Sequence, residues 1–138
     1  MNPYNFSLLF FSFCTFLIGL LIWLRRQDRI ARAYFILAVF VTVWGVSWSV
    51  VISDNASYET ALWSARLAHS AAGFVAVSWF HFCLVYTDSL DKHRKLLIGL
   101  YVFSAVIVSF MASPWFAPEV RPAAGFKHYT RPGFLLDI

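Results

Sequence analysis

Residues 67–87 read LAHSAAGFVAVSWFHFCLVYT, a run of 21 positions without a charged side chain. A helix needs about 20 mostly apolar residues to cross the hydrocarbon core of a bilayer. Helix is the expected structure because a chain in hydrocarbon must satisfy its own backbone hydrogen bonds. We therefore predict one membrane crossing at this position, bounded by Arg66 on one side and Asp88 on the other.

Three further charge-free stretches lie on either side, at residues 1–24, 33–53 and 96–118. Each is long enough for one crossing and too short for two. The predicted spans are, in order, Phe6–Leu24, Ala33–Ser53, Leu62–Thr87 and Leu96–Phe116. Short connections make neighbours in sequence antiparallel neighbours in space. The predicted fold is all-α: an integral membrane helical bundle of four transmembrane helices, forming a single transmembrane domain over residues 1–138.

Composition agrees with this fold and excludes other classes. Charged residues make up 13% of the chain, against about 25% in soluble domains. Hydrophobic residues reach 60% and aromatic residues 20%, more apolar surface than a soluble fold of this length could bury. The two cysteines, Cys14 and Cys83, do not make a disulfide framework. Disorder, a disulfide scaffold and a nucleic-acid module are excluded as classes.

The basic residues predict the orientation. Seven of them occur in the two loops that follow the first and third spans: Arg25, Arg26, Arg29, Arg32, Lys92, Arg94 and Lys95. The loop between the second and third spans, residues 54–61, has none and carries Asp54 and Glu59. The positive-inside rule then places both basic loops in the cytoplasm. The N-terminus and the C-terminus are both predicted to lie outside, in a multi-pass protein of the inner (plasma) membrane.

The end of the chain differs from the rest. Residues 114–138 hold four of the five prolines and two glycines, so residues 117–138 are predicted to form an irregular outer segment. The sequence stops on the hydrophobic run Phe134–Ile138 without a polar tail. This ending predicts that the native chain continues past Ile138.

Small residues recur at helical spacing within each span. At 100° per residue, each set falls on one side of its helix, within about 60° in the second span. The sets are Ala38, Thr42, Gly45 and Ser49 in the second span, Ala65, Ala68, Ala72 and Ala76 in the third, with Ser12, Thr15 and Gly19 in the first and Ala105, Ser109 and Ser113 in the fourth. Small residues let membrane helices approach closely, so these faces are predicted to pack. Trp44 and Trp48 lie on the side of the second span opposite its small residues, and they are predicted to face lipid or a neighbouring bundle.

The third span carries most of the polar chemistry. Arg66, His69 and His81, with Trp63 and Trp79, are the candidate ligand-sensing residues, because an ionisable residue inside a membrane is a functional-site hypothesis by default. The alternative is structural: Arg66 can extend to the headgroups, and each histidine can be a satisfied interfacial residue.

No metal site or cofactor is predicted. His69 and His81 point about 120° apart and cannot share one metal. The first, second and fourth spans have no histidine for a second haem ligand. A bound pigment or lipid stays an alternative, because the spacing of Ala65 and His69 resembles that of chlorophyll-binding antenna polypeptides. Motifs of soluble catalysis are missing, so this stretch is predicted not to be an enzyme.

Several short sequence motifs resemble those of a known protein family. They are Leu24-Arg25-Arg26, Val43-Trp44-Gly45, Trp63-Ser-Ala-Arg66-Leu, Trp79-Phe-His81-Phe-Cys-Leu-Val-Tyr86 and Arg131-Pro-Gly133. The pattern resembles the seven-helix N-terminal membrane region of bacterial sensor histidine kinases and related diguanylate-cyclase signalling proteins. The resemblance covers most of the chain and the first four of seven helices. It implies a sensory input module for signal transduction in a two-component system, with any kinase or cyclase activity in a further C-terminal part.

Two other functions are compatible with the sequence. A small accessory or structural subunit of a photosynthetic or respiratory membrane complex would act by helix packing, with Trp44 and Trp48 as an interface. A transporter fragment would show broken helices at mid-depth, for which Gly73 is the only hint. In each case the expected partners are the lipid bilayer and other transmembrane helices of the same or a partner chain, and no nucleic acid.

Overall fold

The computed structural model of the chain describes residues 3–111, 119–123 and 126–130. The elements are α1 (Pro3–Arg26), α2 (Arg29–Val51), α3 (Tyr58–Tyr86), α4 (Leu90–Met111), β1 (Val120–Ala123) and β2 (Phe126–Thr130). All four helices are long and apolar enough to cross a membrane. The prediction of an all-α membrane fold with four spanning helices is confirmed, and the protein is a multi-pass membrane protein.

The helices extend past the predicted spans. α4 begins at Leu90, six residues before Leu96, because the charged run Asp91–Lys95 continues the helix. α3 begins at Tyr58, four residues before Leu62. A count of uncharged residues locates only the part of a helix in hydrocarbon, and helices continue into the headgroup layer. The final residues of the predicted fourth span, 112–116, lie outside the described residues.

The connection between α1 and α2 is two residues long. Gln27 adopts a positive φ of 49°, and its N–H still donates to the carbonyl of Trp23 at 3.1 Å. Asp28 then caps α2, since its carboxylate accepts the N–H of Ala31 at 2.7 Å. So short a connection forces α1 and α2 to run antiparallel in close contact.

The turn from α3 to α4 is nearly as tight. The N–H of Ser89 donates to the carbonyl of Leu84 at 2.9 Å, and that of Asp88 to Val85 at 3.2 Å. This pair of bonds is a Schellman motif, in which the residue after the helix cap is left-handed. Asp88 has that conformation, with φ 52°. Both turns lie at one end of the molecule, called here the basic end because the seven basic residues of the two turns lie there. The other end, with the α2–α3 loop and the strands, is the hairpin end.

The four helices form an open row. α1 packs on α2, α2 on α3 and α3 on α4, and these neighbouring pairs hold the close helix–helix contacts of the described residues. The predicted bundle is therefore a single layer in this part of the chain. α2 and α3 are the inner helices of the row, and α1 and α4 form its edges, with large apolar side chains exposed along both.

Small residues bring α1 and α2 together. A Cβ built on Gly19 would lie 2.6 Å from the Cβ of Ala38, and one built on Gly45 would overlap the hydroxyl of Ser12. The hydroxyl of Thr42 donates to its own helix at Ala38 (2.7 Å) and also approaches the carbonyl of Ser12 on α1 (3.3 Å). Three of the four small residues expected to pack on α2 (Ala38, Gly45 and Ser49) are buried and the fourth, Thr42, is half-buried.

Aromatic pairs cross the α2–α3 contact from one end to the other. Their ring centroids lie 5.7 Å apart in Tyr34–Phe82, 5.1 Å in Phe40–Phe74 and 5.8 Å in Trp48–His69. From one pair to the next, the residue number increases on α2 and decreases on α3. This order is expected for two antiparallel helices. Trp48 therefore faces α3, and the expectation that it faces lipid or another bundle is wrong for this residue.

The packing face of α3 differs from the predicted one. Ala65 and Ala68 are fully buried, but Ala72 and Ala76 are exposed. The buried face continues instead through Ala61, Ala71, Val77 and Ser78. The four predicted alanines lie on one side of α3, so position around the helix does not by itself tell which of them a neighbouring element covers. On α4, Ala105 and Ser109 are likewise exposed and Ser104 is buried, while Ser113 lies outside the described residues.

Part of the segment predicted to be irregular is a β-hairpin. β1 and β2 pair antiparallel, with Val120 opposite Thr130 and Arg121 opposite Tyr129. Both strands contact α3. The side chain of Val120 joins a buried cluster with Val51 and Ala61 at the hairpin end. The sequence did not predict these strands because they have only four and five residues and include a proline. Their alternation of apolar and polar residues is too short to stand out from the turn-forming residues around them.

The glycines allow a matched test of the α1–α2 contact. Gly19→Ala should lower the midpoint of thermal unfolding in detergent, because its methyl group would collide with Ala38, and overpacking of this kind costs about 1–3 kcal/mol. Gly99→Ala is the control, since nothing lies within 4 Å of a Cβ at that position. It should leave the midpoint unchanged or raise it, because alanine favours helix by about 0.5–1 kcal/mol over glycine. Equal effects at both positions would contradict the packing.

Candidate functional site

The five candidate sensing residues do not form one pocket. Trp63, Arg66 and His69 lie in the part of α3 at the hairpin end, whereas Trp79 and His81 lie toward the basic end. His81 follows His69 by 12 residues, which corresponds to about 18 Å along a helix axis. The structure therefore separates them into two places, each with its own partners.

At the hairpin end, Trp48 of α2 is the point where three elements meet. Its ring stands edge-on to the ring of His69 in α3, with centroids 5.8 Å apart. It also contacts the ring of Tyr129 in β2, with centroids 6.1 Å apart. We call these three residues the Trp48 cluster. Edge-to-face and tilted aromatic pairs at such distances contribute about 0.5–1.5 kcal/mol beyond their buried area.

Polar contacts hold the hairpin over this cluster. His128 is buried, and its Nε2–H donates to the carbonyl of Ala56 in the α2–α3 loop at 3.1 Å. Lys127 is exposed, and its Nζ donates to the carbonyl of Asp54 at 3.4 Å. Loop carbonyls that would otherwise need water are thus satisfied by side chains of β2. Together with buried Val120, these bonds seat the hairpin on the ends of α2 and α3.

Arg66 and Trp63 form a second feature of the hairpin end. The guanidinium carbon of Arg66 lies 5.0 Å from the centroid of the Trp63 ring, within the range of a cation–π interaction. Arg66 is only 8% exposed, whereas Trp63 is 64% exposed. The guanidinium of Arg66 is thus largely covered and lies beside an aromatic ring. The exposed surface of the pair is the Trp63 ring, and the positive charge of Arg66 lies beneath it.

Toward the basic end, His81 joins α3 to α4. Its Nδ1 shares a hydrogen bond of 3.1 Å with the hydroxyl of Tyr101, and the two rings stand at 88° to each other. Ser78 lies one turn earlier on α3 and is fully buried. Trp79 points elsewhere: it is 58% exposed and touches Phe82 of its own helix. A hydrogen bond between helices in hydrocarbon is worth about 0.6 kcal/mol on average, so the His81–Tyr101 pair fixes a rotation rather than dominating stability.

Side chains that could bind a metal ion are dispersed in the part of the chain that the structure describes. Within 3–111 and the two strands, no group of three or more His, Cys, Asp or Glu side chains is close enough to hold an ion. Cys14 and Cys83 are both unpaired thiols inside spans.

Sequence reasoning missed the contact of Trp48 with His69. It also missed the strand that carries His128 and Tyr129, which fall in the segment predicted to be irregular. One available signal was the run Phe126–Thr130, in which aromatic and β-branched residues favour a strand. A strand there would have brought the tyrosine within reach of the loop after α2.

The family model of the N-terminal 7TM region of histidine kinase matches residues 7–127. The chain belongs to this family. The match confirms the resemblance inferred from the sequence and covers the four helices apart from the first turn of α1, together with β1. The sensor region of histidine kinases is not itself the catalytic part of those proteins, and membership indicates a sensory input module. No curated protein and no solved structure matches the chain.

The hairpin of this sensor region gives a specific prediction. His128→Ala should loosen β1 and β2, because the half-buried carbonyl of Ala56 loses its donor, at a cost of about 1 kcal/mol or more. Hydrogen–deuterium exchange in residues 120–130 should then rise, with exchange in α1 and α2 unchanged. Lys127→Ala, one residue away and exposed, is the control and should have a much smaller effect. Equal exchange in both variants would show that the His128 bond does not hold the hairpin.

Proposed function

We propose that the chain is the membrane-embedded sensory input of a bacterial sensor histidine kinase, and that its stimulus acts at the hairpin end. Family membership supports the first part of the proposal. The second part is carried by one observation: the ring of Trp48 contacts α3 through His69 and the hairpin through Tyr129. At this point an element outside the spans touches two helices at once.

The proposed orientation puts the hairpin end outside and the basic end in the cytoplasm of a protein in the inner membrane. Seven basic residues lie in or beside the two turns of the basic end, against none in the short loop 54–61. Such an asymmetry in short loops is what the positive-inside rule responds to. The start of α1 then lies outside, on the same side as the hairpin.

A stimulus can act at the hairpin end only if the protein has two conformations there that bind it differently. A ligand shifts an equilibrium only by as much as its affinities for the two states differ. In the proposed mechanism the hairpin is either seated, with the His128–Ala56 bond made, or lifted from the Trp48 cluster. Trp63, Arg66 and His69 are the residues of α3 proposed to read that difference. Arg66 supplies charge and the rings supply contact area.

α3 provides the route to the other end. It is one helix of 29 residues from Tyr58 to Tyr86, so a rotation or tilt imposed near His69 is carried to His81. The His81–Tyr101 hydrogen bond then couples α3 to α4. In the full-length protein we propose that later helices pass the change to a kinase domain, which carries the catalysis.

The direct test uses full-length protein in membranes. Arg66→Ala and His69→Ala should each change autophosphorylation per molecule about fivefold or more, the lower range of allosteric coupling energies. Arg32→Ala and His93→Ala remove the same side-chain types at the basic end and are the matched controls.

Protein abundance and thermal stability are measured alongside the activity. A loss of abundance with unchanged activity per molecule would make Arg66 and His69 structural and would refute the proposed sensing site. The same change in the control variants would refute its location at the hairpin end.

Orientation is tested by labelling intact cells. With Cys14 and Cys83 replaced by alanine, Asn55→Cys should react with a membrane-impermeant maleimide added outside. Lys92→Cys should react only after the cells are permeabilised, because it lies in the first turn of α4, at the basic end. The reverse pattern would place the hairpin in the cytoplasm.

A further inference from the structure

An open groove lies at the basic end, between the start of α2, the end of α3 and the first half of α4. Its volume is about 450 Å³. Polar groups line both of its ends: Arg29 of α2 with Asp91 and Arg94 of α4 at the helix starts, and the pair His81 of α3 and Tyr101 of α4 deeper along the helices. The rest is lined by apolar side chains of α4, namely Leu90, Leu97 and Ile98. We call this feature the Arg29–Arg94 groove.

The two arginines carry charge that the described residues do not neutralise. Within that part of the chain, neither Arg29 nor Arg94 has a carboxylate at ion-pair distance, and the ion pair nearest in sequence joins Arg26 to Asp28 at 3.7 Å. Asp91 is the one acidic residue lining the groove, so the groove has an excess of positive charge. Arginine has a planar fork of N–H donors that suits phosphate oxygens.

The apolar part gives the groove a direction. Arg94 and Tyr101 are seven residues apart on α4, which is about 10 Å along the helix axis. Between them, Leu97 is buried against Val77 and Leu84 of α3, whereas Ile98 is 54% exposed. The groove thus runs from charged residues at the helix start into the hydrocarbon depth. α4 packs closely only on α3, so this side of it is open toward α2.

We propose that the Arg29–Arg94 groove binds one anionic phospholipid. The guanidinium groups of Arg29 and Arg94 hold the phosphate, and the first part of an acyl chain lies along Leu97 and Ile98. Basic pockets between transmembrane helices at the cytoplasmic side are suited to anionic headgroups. A soluble phosphate would use only the charged part of this groove, whereas a lipid uses both parts. The lipid also bridges α2 and α4, whose described residues pack extensively on α3 rather than on each other.

The proposal concerns a structural ligand and does not depend on what the hairpin end senses. It is tested with full-length protein purified in mild detergent, to which phosphatidylglycerol or phosphatidylcholine is added. Native mass spectrometry then counts the retained lipids. Wild-type protein should retain one phosphatidylglycerol in preference to phosphatidylcholine. Arg29→Gln and Arg94→Gln should each weaken this retention about tenfold or more, as expected for loss of a charge-assisted hydrogen bond.

Lys95→Gln is the matched control, because it makes the same charge change one residue away from Arg94 and outside the groove. It should leave retention unchanged. Ile98→Trp supplies a second test that leaves all charges in place: the larger side chain obstructs the acyl path at an exposed position, and retention should fall. Helical circular dichroism and the elution volume of each variant show whether it is folded.

Three results would overturn the proposal. Equal loss in Lys95→Gln would show diffuse attraction of lipid to the basic end. Unchanged retention in the folded Arg29→Gln, Arg94→Gln and Ile98→Trp variants would show that the lipid lies elsewhere. Displacement of phosphatidylglycerol by millimolar inorganic phosphate would assign the groove to a soluble anion.

Discussion

Backbone hydrogen bonding in hydrocarbon is the constraint on which the other features of this molecule depend. Each peptide group inside the bilayer must find a partner within the chain, and the four helices of the described region do this one span at a time. Irregular backbone is then confined to the ends, where the turns are closed by their own bonds. The Schellman motif after α3 and the Asp28 cap of α2 are examples.

Once the helices exist, lipid does not drive them together as water would, because acyl chains are as apolar as the side chains they meet. Contact comes instead from close approach and from a few polar links. The α1–α2 contact uses the first, where Gly19 and Gly45 leave no space for a methyl group. The α3–α4 contact uses the second, through His81 and Tyr101. The Trp48 cluster adds a third kind of link, because aromatic rings connect the β-hairpin with α2 and α3.

The spans could be predicted from the sequence because charged side chains are costly in hydrocarbon. The length of each charge-free stretch therefore matches the length of helix needed to cross the bilayer. Sequence reasoning also reached the buried face of α2, where the small residues occupy one side. It failed on α3, since Ala65 and Ala72 lie on the same side of the helix but only Ala65 is buried, and the reach of the neighbouring elements decides which of them is covered. The candidate site was found in part: Arg66 and His69 stood out as polar residues in a span. Their separation from His81 and the contact of Trp48 with Tyr129 depend on tertiary packing, which periodicity within one helix does not report.

The two-residue connection between α1 and α2 restricts how this region can move. With Gln27 in a left-handed conformation and Asp28 capping the next helix, there is no slack that would let one helix slide along the other. A piston displacement of α1 alone is therefore unavailable, and α1 and α2 translate or tilt as one body. Among the described residues α4 packs extensively only on α3. The short turn between these two helices is closed by its own hydrogen bonds, so sliding of α4 along α3 is restricted in the same way.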